Sequence, residues 1–212
     1  MTYFSLVRHG ETDWNKAGRI QGSTDIPLNE LGRVQARETG EKLARHSWDL
    51  IVSSPLGRAM ETAAIIAEQI GHPTPATHSG IRERNYGDAE GLTGAELESR
   101  YPGHADVPGR ESRDEVMDRV LNAMHEIASD YPGKHILLVA HGGVIRAALQ
   151  GAAPGQYLHE RIANGSVHTF FHSDTGLSLV RFNDELDVET DDPTLPDWED
   201  QNPLEHREHE GN

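Results

Sequence analysis

Short, continuous apolar segments alternate with longer helical patterns along most of the chain, and this alternation narrows the possible folds. The clearest segment is residues 135–140 (HILLVA), residues 3–8 and 49–53 are comparable, and a weaker one lies at 75–78. Continuous apolar runs of this length, bounded by turn residues, are typical of strands buried on both faces. The pattern predicts an α/β fold, a three-layer α/β/α sandwich with a mostly parallel central sheet and helices on both faces.

The helical segments carry recognisable start signals. A helix is expected over residues 29–46, behind Asn29 as its N-cap. Ser112 and Glu115 have the spacing of a capping box, which predicts a helix over residues 112–130. The repeat that predicts the first helix comprises Leu31, Val34, Gln35, Leu43 and Ala44, which are apolar except for Gln35. The other expected elements are helices at 57–70, 93–100 and 144–150 and two closing strands, which could pair antiparallel, at 166–172 and 177–182.

Negative charge is concentrated at the C-terminal end of the chain. The 212 residues include 35 Asp and Glu against 19 Lys and Arg, a formal net charge of −16. Residues 184–212 hold twelve acids and one base, a charge of −11, which leaves −5 for residues 1–183. A segment so acidic and polar is typical of a solvated tail. The chain is therefore expected to divide into one globular, catalytic domain, residues 1–183, and an acidic C-terminal tail, residues 184–212.

Composition also excludes several classes of protein. The chain has no cysteine, which excludes a disulfide framework, an iron–sulfur cluster and a thiol nucleophile. No apolar run approaches about 18 residues, so we expect no membrane partner. The acidic balance argues against a nucleic-acid partner. The first ten residues lack the pattern of a signal peptide, so a cytoplasmic location is expected, and a homodimer is the usual assembly of a soluble enzyme.

Polar residues follow three of the predicted strands at the point where each strand ends. Arg8-His9-Gly10 follows the first strand, a SerSerPro turn leads from the second to Arg58, and His141-Gly142-Gly143 follows the strand at 135–140. Ligands of parallel sheets collect at the carboxyl ends of the strands. The sequence therefore predicts that two histidines and two arginines meet at one edge of the sheet.

This combination of side chains suits a phosphoryl group. Arginine offers planar, bidentate donors to phosphate oxygens, and a neutral imidazole can attack phosphorus to form a phosphohistidine. A second histidine can donate to an equatorial oxygen in the transition state. The acid that would protonate the leaving group is missing from this set. Glu83 is the candidate, and Glu11 and Glu90 are alternatives.

Four segments in order carry a family pattern. They are LVRHGETDWN (6–15), SSPLGRAMETA (53–63), RERNYGDAEG (82–91) and VAHGG (139–143). Together they resemble the histidine phosphatase superfamily, the phosphoglycerate mutase-like clan, over about residues 3–183. The resemblance implies the phosphoglycerate mutase-like fold and a reaction that needs neither a metal nor another cofactor. The sequence agrees, because it lacks the carboxylate cluster of a metal-dependent phosphatase.

The resemblance also implies roles for individual residues. His9 is the expected nucleophile, and Glu83 is the expected general acid and then base. A phosphate clamp is expected from Arg8, Asn15, Arg58 and His141, and Gln21 with Gly22 is expected at the substrate rim. The complete expected site comprises Arg8, His9, Gly10, Glu11, Thr12, Asn15, Gln21, Gly22, Arg58, Glu83, His141 and Gly142, with a small phosphorylated metabolite as the bound partner.

Three functions are compatible with these motifs. Family mutases carry a longer insertion with adjacent arginines after the Glu83 loop, whereas residues 92–118 are short and have only separated bases, Arg100, Arg110 and Arg113. This difference favours a phosphatase that hydrolyses small phosphate monoesters. A phosphoglycerate mutase is the first alternative. The second, an inactive binding module, is disfavoured because the expected catalytic residues are all present.

Overall fold

One sheet organises the part of the chain that the structure, a computed structural model, describes: residues 1–103, 106–157 and 159–184. Its six strands are β1 (Thr2–Arg8), β2 (Leu50–Ser53), β3 (Ala76–Thr77), β4 (His135–Ala140), β5 (Val167–Ser173) and β6 (Gly176–Arg181). They lie in the order β3-β2-β4-β1-β5-β6. Strands β1 to β4 pair in parallel, whereas β5 is antiparallel to both β1 and β6. The predicted mostly parallel sheet and antiparallel closing pair are confirmed.

Six α-helices accompany the strands in these described residues. They are α1 (Asp13–Lys16), α2 (Glu30–Leu43), α3 (Gly57–Ile70), α4 (Gly94–Arg100), α5 (Arg113–Asp130) and α6 (Gly142–Ala152). The predicted caps are present: the Asn29 side chain accepts a hydrogen bond from the Gly32 N–H, and Ser112 and Glu115 form a capping box. Each such cap satisfies a backbone donor that the helix itself leaves unbonded.

The helices cover both faces of the sheet and bury two apolar layers. On one face α2 and α3 pack on alternate strand residues, with Val7 and Leu137 among the buried side chains. On the other face α5 and α6 cover the intervening residues, including Leu6 and Leu138. Burying each such side chain contributes roughly 1.5–3 kcal/mol. Because both faces are covered, the strands are apolar at consecutive positions, and the predicted three-layer sandwich is confirmed.

The buried face of α2 differs from the prediction. Leu31 and Val34 are 49% and 39% exposed. Leu43 is buried as predicted, and the other buried positions are Gly32, Ala36, Thr39 and Gly40. The reason is a close backbone approach, since a Cβ atom at Gly10 would overlap the carbonyl group of Gly32. Apart from Leu43, small residues therefore form the packed face, and Leu31 and Val34 point outward.

Some element boundaries also differ from the prediction. Helix α2 ends at Leu43 rather than near residue 46, and the indole N–H of Trp48 donates to the Leu43 carbonyl oxygen at 2.9 Å. Strand β3 contains only Ala76–Thr77, and α6 begins two residues earlier than expected. The short helix α1 was not predicted, because its four residues are too few for a periodic pattern.

The predicted acidic tail, residues 184–212, lies outside the described residues except for Asp184. Within the described residues, no helix combines the length and the apolar character needed to cross a membrane.

Candidate active site

The carboxyl ends of β1, β2 and β4 lie side by side and bring the candidate residues together. Arg8 is level with Ala140 in the β1–β4 pair, and Ser53 is level with Val139 in the β2–β4 pair. The next residues along the chain therefore meet at one edge of the sheet. As a result, the rings of His9 and His141 approach edge to face, with their centroids 5.1 Å apart.

His9 is held as a neutral imidazole with a defined orientation. Its Nδ1 lies 2.6 Å from the carbonyl oxygen of Gly10, which can only accept, so Nδ1 carries the proton. The lone pair of Nε2 accepts from Nε of Arg58 at 3.3 Å. Burial, together with the positive charges of Arg58 and Arg8, holds the pKa of His9 well below its ordinary value. The ring therefore presents an unprotonated Nε2 beside two guanidinium groups.

Arg58 lies in the first turn of α3 and is completely buried. It donates to the carbonyl oxygens of Gly22 at 2.8 Å and Thr24 at 3.0 Å and lies 3.6 Å from the Asp25 carboxylate. Burial lowers the pKa of Arg58, and the nearby carboxylates of Glu83 and Asp25 oppose that shift. These contacts connect the 22–25 segment to the histidine pair.

Arg8 is the second guanidinium of the site. Its Nη1 donates to the carbonyl oxygen of Ile162 at 2.6 Å. Burial lowers the pKa of Arg8 to about 10, while Glu83 opposes the shift, so the side chain remains a cation at neutral pH. Gly142, at the start of α6, lies against this guanidinium, since a Cβ atom there would be 3.7 Å from Nε of Arg8.

His141 immediately precedes α6 and is completely buried. Its Nε2 lies 2.7 Å from Oγ of Ser54, whereas its Nδ1 is buried without a hydrogen-bond partner in the described residues. Burial and the positive charge of Arg58 hold the pKa of His141 well below its ordinary value. A second neutral imidazole therefore lies beside His9.

Glu83 approaches the same place from the loop after residues 79–81. Its carboxylate accepts from the backbone N–H groups of Arg84 at 2.8 Å and Gly143 at 3.2 Å, and the residue is only 5% exposed. Gly143 lies in the first turn of α6, where partial positive charge favours a carboxylate. A Cβ atom at Gly143 would lie 2.5 Å from Oε1 of Glu83, so a glycine permits this approach.

The two alternative acids are occupied elsewhere. Glu11 accepts from the side-chain amide of Asn29 at 2.8 Å. Glu90 accepts from the backbone N–H groups of Ser23 and Thr24, each at 2.8 Å. Of the three carboxylates, Glu83 is the one bonded to the first turn of α6, which follows His141.

Thr12, Asn15 and Gln21 form a connected group beside the two arginines. Thr12 and Asn15 make the reciprocal capping box that begins α1. In the orientation that satisfies both ends of its amide, Gln21 donates to Thr12 Oγ1 at 2.6 Å and accepts from Arg58 at 3.2 Å. Gly22 follows it, and a Cβ atom there would lie 2.7 Å from the Arg84 carbonyl oxygen. The predicted rim residues therefore contact the site through Arg58.

A cavity of about 880 Å³ opens beside Arg8 and Asn15. It is lined by residues from α1, from the start of α2 and from the 161–164 segment, including Lys16, Arg161 and Asn164. Three acids also line the cavity: Asp13, Glu30 and Glu11, the last of which is bonded to Asn29. The cavity offers cationic, acidic and amide groups next to the residues expected to bind phosphate.

Three contacts of the site were not predicted. The side-chain amide of Asn164 donates to the His9 carbonyl oxygen at 2.8 Å, Thr62 accepts from the Gly10 N–H at 3.1 Å, and Ser54 contacts His141. Ser54 and Thr62 lie in the 53–63 motif, which is a usable signal. No local signal marks Asn164, because it is distant from His9 in the sequence and only the folding of the chain brings the two together.

Arg110 and the buried His168 each contact residues other than the histidine pair. Arg110 is 3.8 Å from Asp106, an ion pair within its own loop. His168 is buried on β5 and bonds Ser166 at 2.9 Å. Among the described residues, no group of three or more His, Cys, Asp and Glu side chains could hold a metal ion.

A buried imidazole whose unprotonated nitrogen lies beside two cations has little use in a merely structural role. Next to guanidinium groups that would bind a phosphate, it is suited to accept a phosphoryl group. The fold and this sheet edge are those of an α/β enzyme of phosphoryl transfer. The family model described as the histidine phosphatase superfamily (branch 1) matches residues 4–185. The chain belongs to this superfamily, which confirms the resemblance inferred from its four motifs.

Three relatives illustrate the range of the superfamily near this chain. PhoE of Bacillus subtilis, named as an uncharacterized phosphatase, is 47% identical over 73% of this chain and 79% of the relative. Phosphoglycerate mutase-like protein 4 of Arabidopsis thaliana is 39% identical over 78% and 77%. The metal-independent phosphoserine phosphatase of the same plant is 35% identical over 76% and 75%.

A solved structure has the same fold. The mycobacterial glucosyl-3-phosphoglycerate phosphatase, in its complex with VO3, aligns with a TM-score of 0.77 and 31% identity. The alignment covers 85% of this chain and 98% of that one.

Proposed function

We propose that this protein is a metal-independent phosphatase that hydrolyses small phosphate monoesters through a phosphohistidine on His9, with Glu83 as general acid and base. Membership of the histidine phosphatase superfamily and the phosphatases among its relatives support a phosphatase activity. The observation that carries the proposed mechanism is the hydrogen bonding of the two ring nitrogens of His9. Its Nδ1 proton is engaged by Gly10, and its Nε2 lone pair lies beside Arg58.

In the first step the Nε2 lone pair of His9 attacks phosphorus, and the bond to the ester oxygen breaks. Arg8 and Arg58 balance the charge of the phosphoryl oxygens. The imidazole becomes positive as the P–N bond forms, and its Nδ1–H bond to the Gly10 carbonyl stabilises that charge. Glu83 in its protonated form delivers a proton to the leaving oxygen, so the alcohol departs neutral.

In the second step water attacks the phosphohistidine. The Glu83 carboxylate, left unprotonated by the first step, takes a proton from that water. The P–N bond breaks, its electron pair returns to Nε2 of His9, and inorganic phosphate is released. The hydrogen bonds from Gly143 and Arg84 suit this stage, because they stabilise Glu83 as a carboxylate.

The substrate class we propose is a phosphate monoester whose alcohol part carries a carboxylate. Lys16 and Arg161 line the cavity beside Arg8, and its volume of about 880 Å³ exceeds what a phosphate alone requires. Phosphoserine and glucosyl-3-phosphoglycerate, which appear in the names of two similar phosphatases, are both carboxylated phosphate esters.

The test is phosphate release from p-nitrophenyl phosphate, phosphoserine and 3-phosphoglycerate, with and without EDTA. We expect metal-independent release that His9→Ala abolishes, together with an acid-labile phosphoryl label on the wild-type protein only. His46, an exposed histidine, supplies the control variant His46→Gln. Residual activity of His9→Ala above about one hundredth would remove His9 as the nucleophile. Conversion of 3-phosphoglycerate to its 2-isomer faster than phosphate release would make the protein a mutase instead.

A further inference from the structure

Ser54 lies directly behind His141, and both residues are completely buried. The Ser54 hydroxyl accepts a hydrogen bond from the Leu56 backbone N–H at 3.3 Å and lies 2.7 Å from Nε2 of His141. In the described part of the chain, that nitrogen is the one acceptor within reach of the Ser54 O–H group. Two arrangements of the proton are therefore possible between Ser54 and His141.

The hydrogen-bond inventory distinguishes these arrangements. If Nε2 of His141 carried the proton, the Ser54 hydroxyl would accept twice and its own proton would be buried without an acceptor, at a cost of about 1–3 kcal/mol. If Ser54 donates to Nε2 instead, both hydroxyl functions are satisfied. The proton of a neutral His141 ring then resides on Nδ1.

The surroundings of the second ring nitrogen, Nδ1, agree with this assignment. Nδ1 of His141 is buried and has no hydrogen-bond partner in the described residues, and the ring lies against His9 with centroids 5.1 Å apart. A buried donor without a partner is costly unless a ligand satisfies it. The phosphoryl group that His9 would receive brings acceptor oxygens to this place.

We propose that Ser54 is a positioning residue that holds neutral His141 as its Nδ1–H tautomer, so that this N–H donates to an oxygen of the transferring phosphoryl group. The inference rests on the proposed function. The choice of tautomer matters because burial and Arg58 keep the pKa of His141 well below its ordinary value. A protonated ring would donate from both nitrogens and would need no such control.

The direct test is nitrogen-15 NMR of the wild-type protein, with the His141 signals assigned by their absence in His141→Gln. We expect a protonated Nδ1 and an unprotonated Nε2 at neutral pH. Observation of Nε2–H in the wild-type protein would overturn the proposal without any Ser54 variant. This measurement does not depend on catalysis, so it fails or succeeds separately from the proposed phosphatase activity.

The second test compares two adjacent buried serines. Ser54→Ala is expected to change the His141 tautomer and to lower kcat about 10- to 100-fold with little change in KM. Ser53→Ala is the matched control, because the Ser53 hydroxyl donates to the Ser54 carbonyl oxygen and does not contact His141. Ser54→Thr, which retains the hydroxyl, is expected to restore the tautomer. An unchanged tautomer in Ser54→Ala, or a changed tautomer with unchanged kcat, would refute the role of Ser54.

Discussion

Acid sensitivity of the fold is expected to depend on His168, which is completely buried on β5. Its Nδ1 accepts from the Asn183 backbone N–H at 3.2 Å, and its Nε2 lies 2.9 Å from Ser166 Oγ. Burial, aided by the positive charge of Arg146 and opposed by Asp184, lowers the pKa of His168 from 6.5 to about 3. Between these two values the unfolded chain binds a proton at this ring and the folded chain does not.

The sign and size of the effect follow from this difference. Because the unfolded state binds more protons, the free energy of unfolding falls as the pH is lowered from about 6.5 towards about 3. Between pH 7 and pH 5, the ring of His168 should remove about 2 kcal/mol of stability. This figure depends mainly on the unfolded-state pKa, since pH 5 remains above the folded-state value.

The perturbation is His168→Gln, which removes the titrating group while keeping polar atoms in its place. Urea unfolding at pH 7 and pH 5 gives the stability of both proteins at each pH. We expect the advantage of the wild-type protein over His168→Gln to shrink by about 2 kcal/mol at the lower pH. His46→Gln, at an exposed position, should show no such change. A stability difference between wild type and His168→Gln that is the same at both pH values would refute the reasoning.

Three further predictions concern catalysis, substrate choice and packing. Glu83→Gln should slow phosphoserine hydrolysis far more than p-nitrophenyl phosphate hydrolysis, because nitrophenolate leaves without protonation; equal losses in kcat would point to another acid. Lys16→Gln should raise KM for phosphoserine about fivefold and leave p-nitrophenyl phosphate unaffected. The control Lys42→Gln, on α2, should alter neither substrate, and a KM for phosphoserine unchanged by Lys16→Gln would dismiss the cavity as a carboxylate subsite. Gly10→Ala should lower the free energy of unfolding by about 1–3 kcal/mol, because the added Cβ meets the backbone of Gly32; a loss below about 0.5 kcal/mol in urea unfolding would contradict that packing argument.

Local patterns were enough to predict most of the secondary structure and the edge where the site lies. The continuous apolar run at 135–140 corresponds to β4, and the helix at 57–70 has the predicted bounds. The carboxyl ends of parallel strands lie at one edge of the sheet. Because His9, Arg58 and His141 each follow such a strand, the sequence was enough to predict that they would meet. These features depend on neighbours a few residues apart, which a sequence displays directly.

Other features depend on contacts between distant parts of the chain. The buried face of α2 follows from the close approach of Gly10 and Gly32, which reverses the expectation drawn from Leu31 and Val34. The contact of Asn164 with His9 joins residues 155 positions apart in the chain, which the pairing of β1 with β5 brings together, and it has no local signature.

The different surroundings of the three candidate acids are also a tertiary feature. Glu11, Glu83 and Glu90 are alike in sequence, but only Glu83 reaches the start of α6, where Gly143 leaves room for its carboxylate. The sequence alone determined the elements, the direction of the strands and the type of chemistry, because apolar periodicity and residue type are local properties. Only the tertiary structure decided which polar atoms meet, because those meetings depend on backbone approaches that no local pattern encodes.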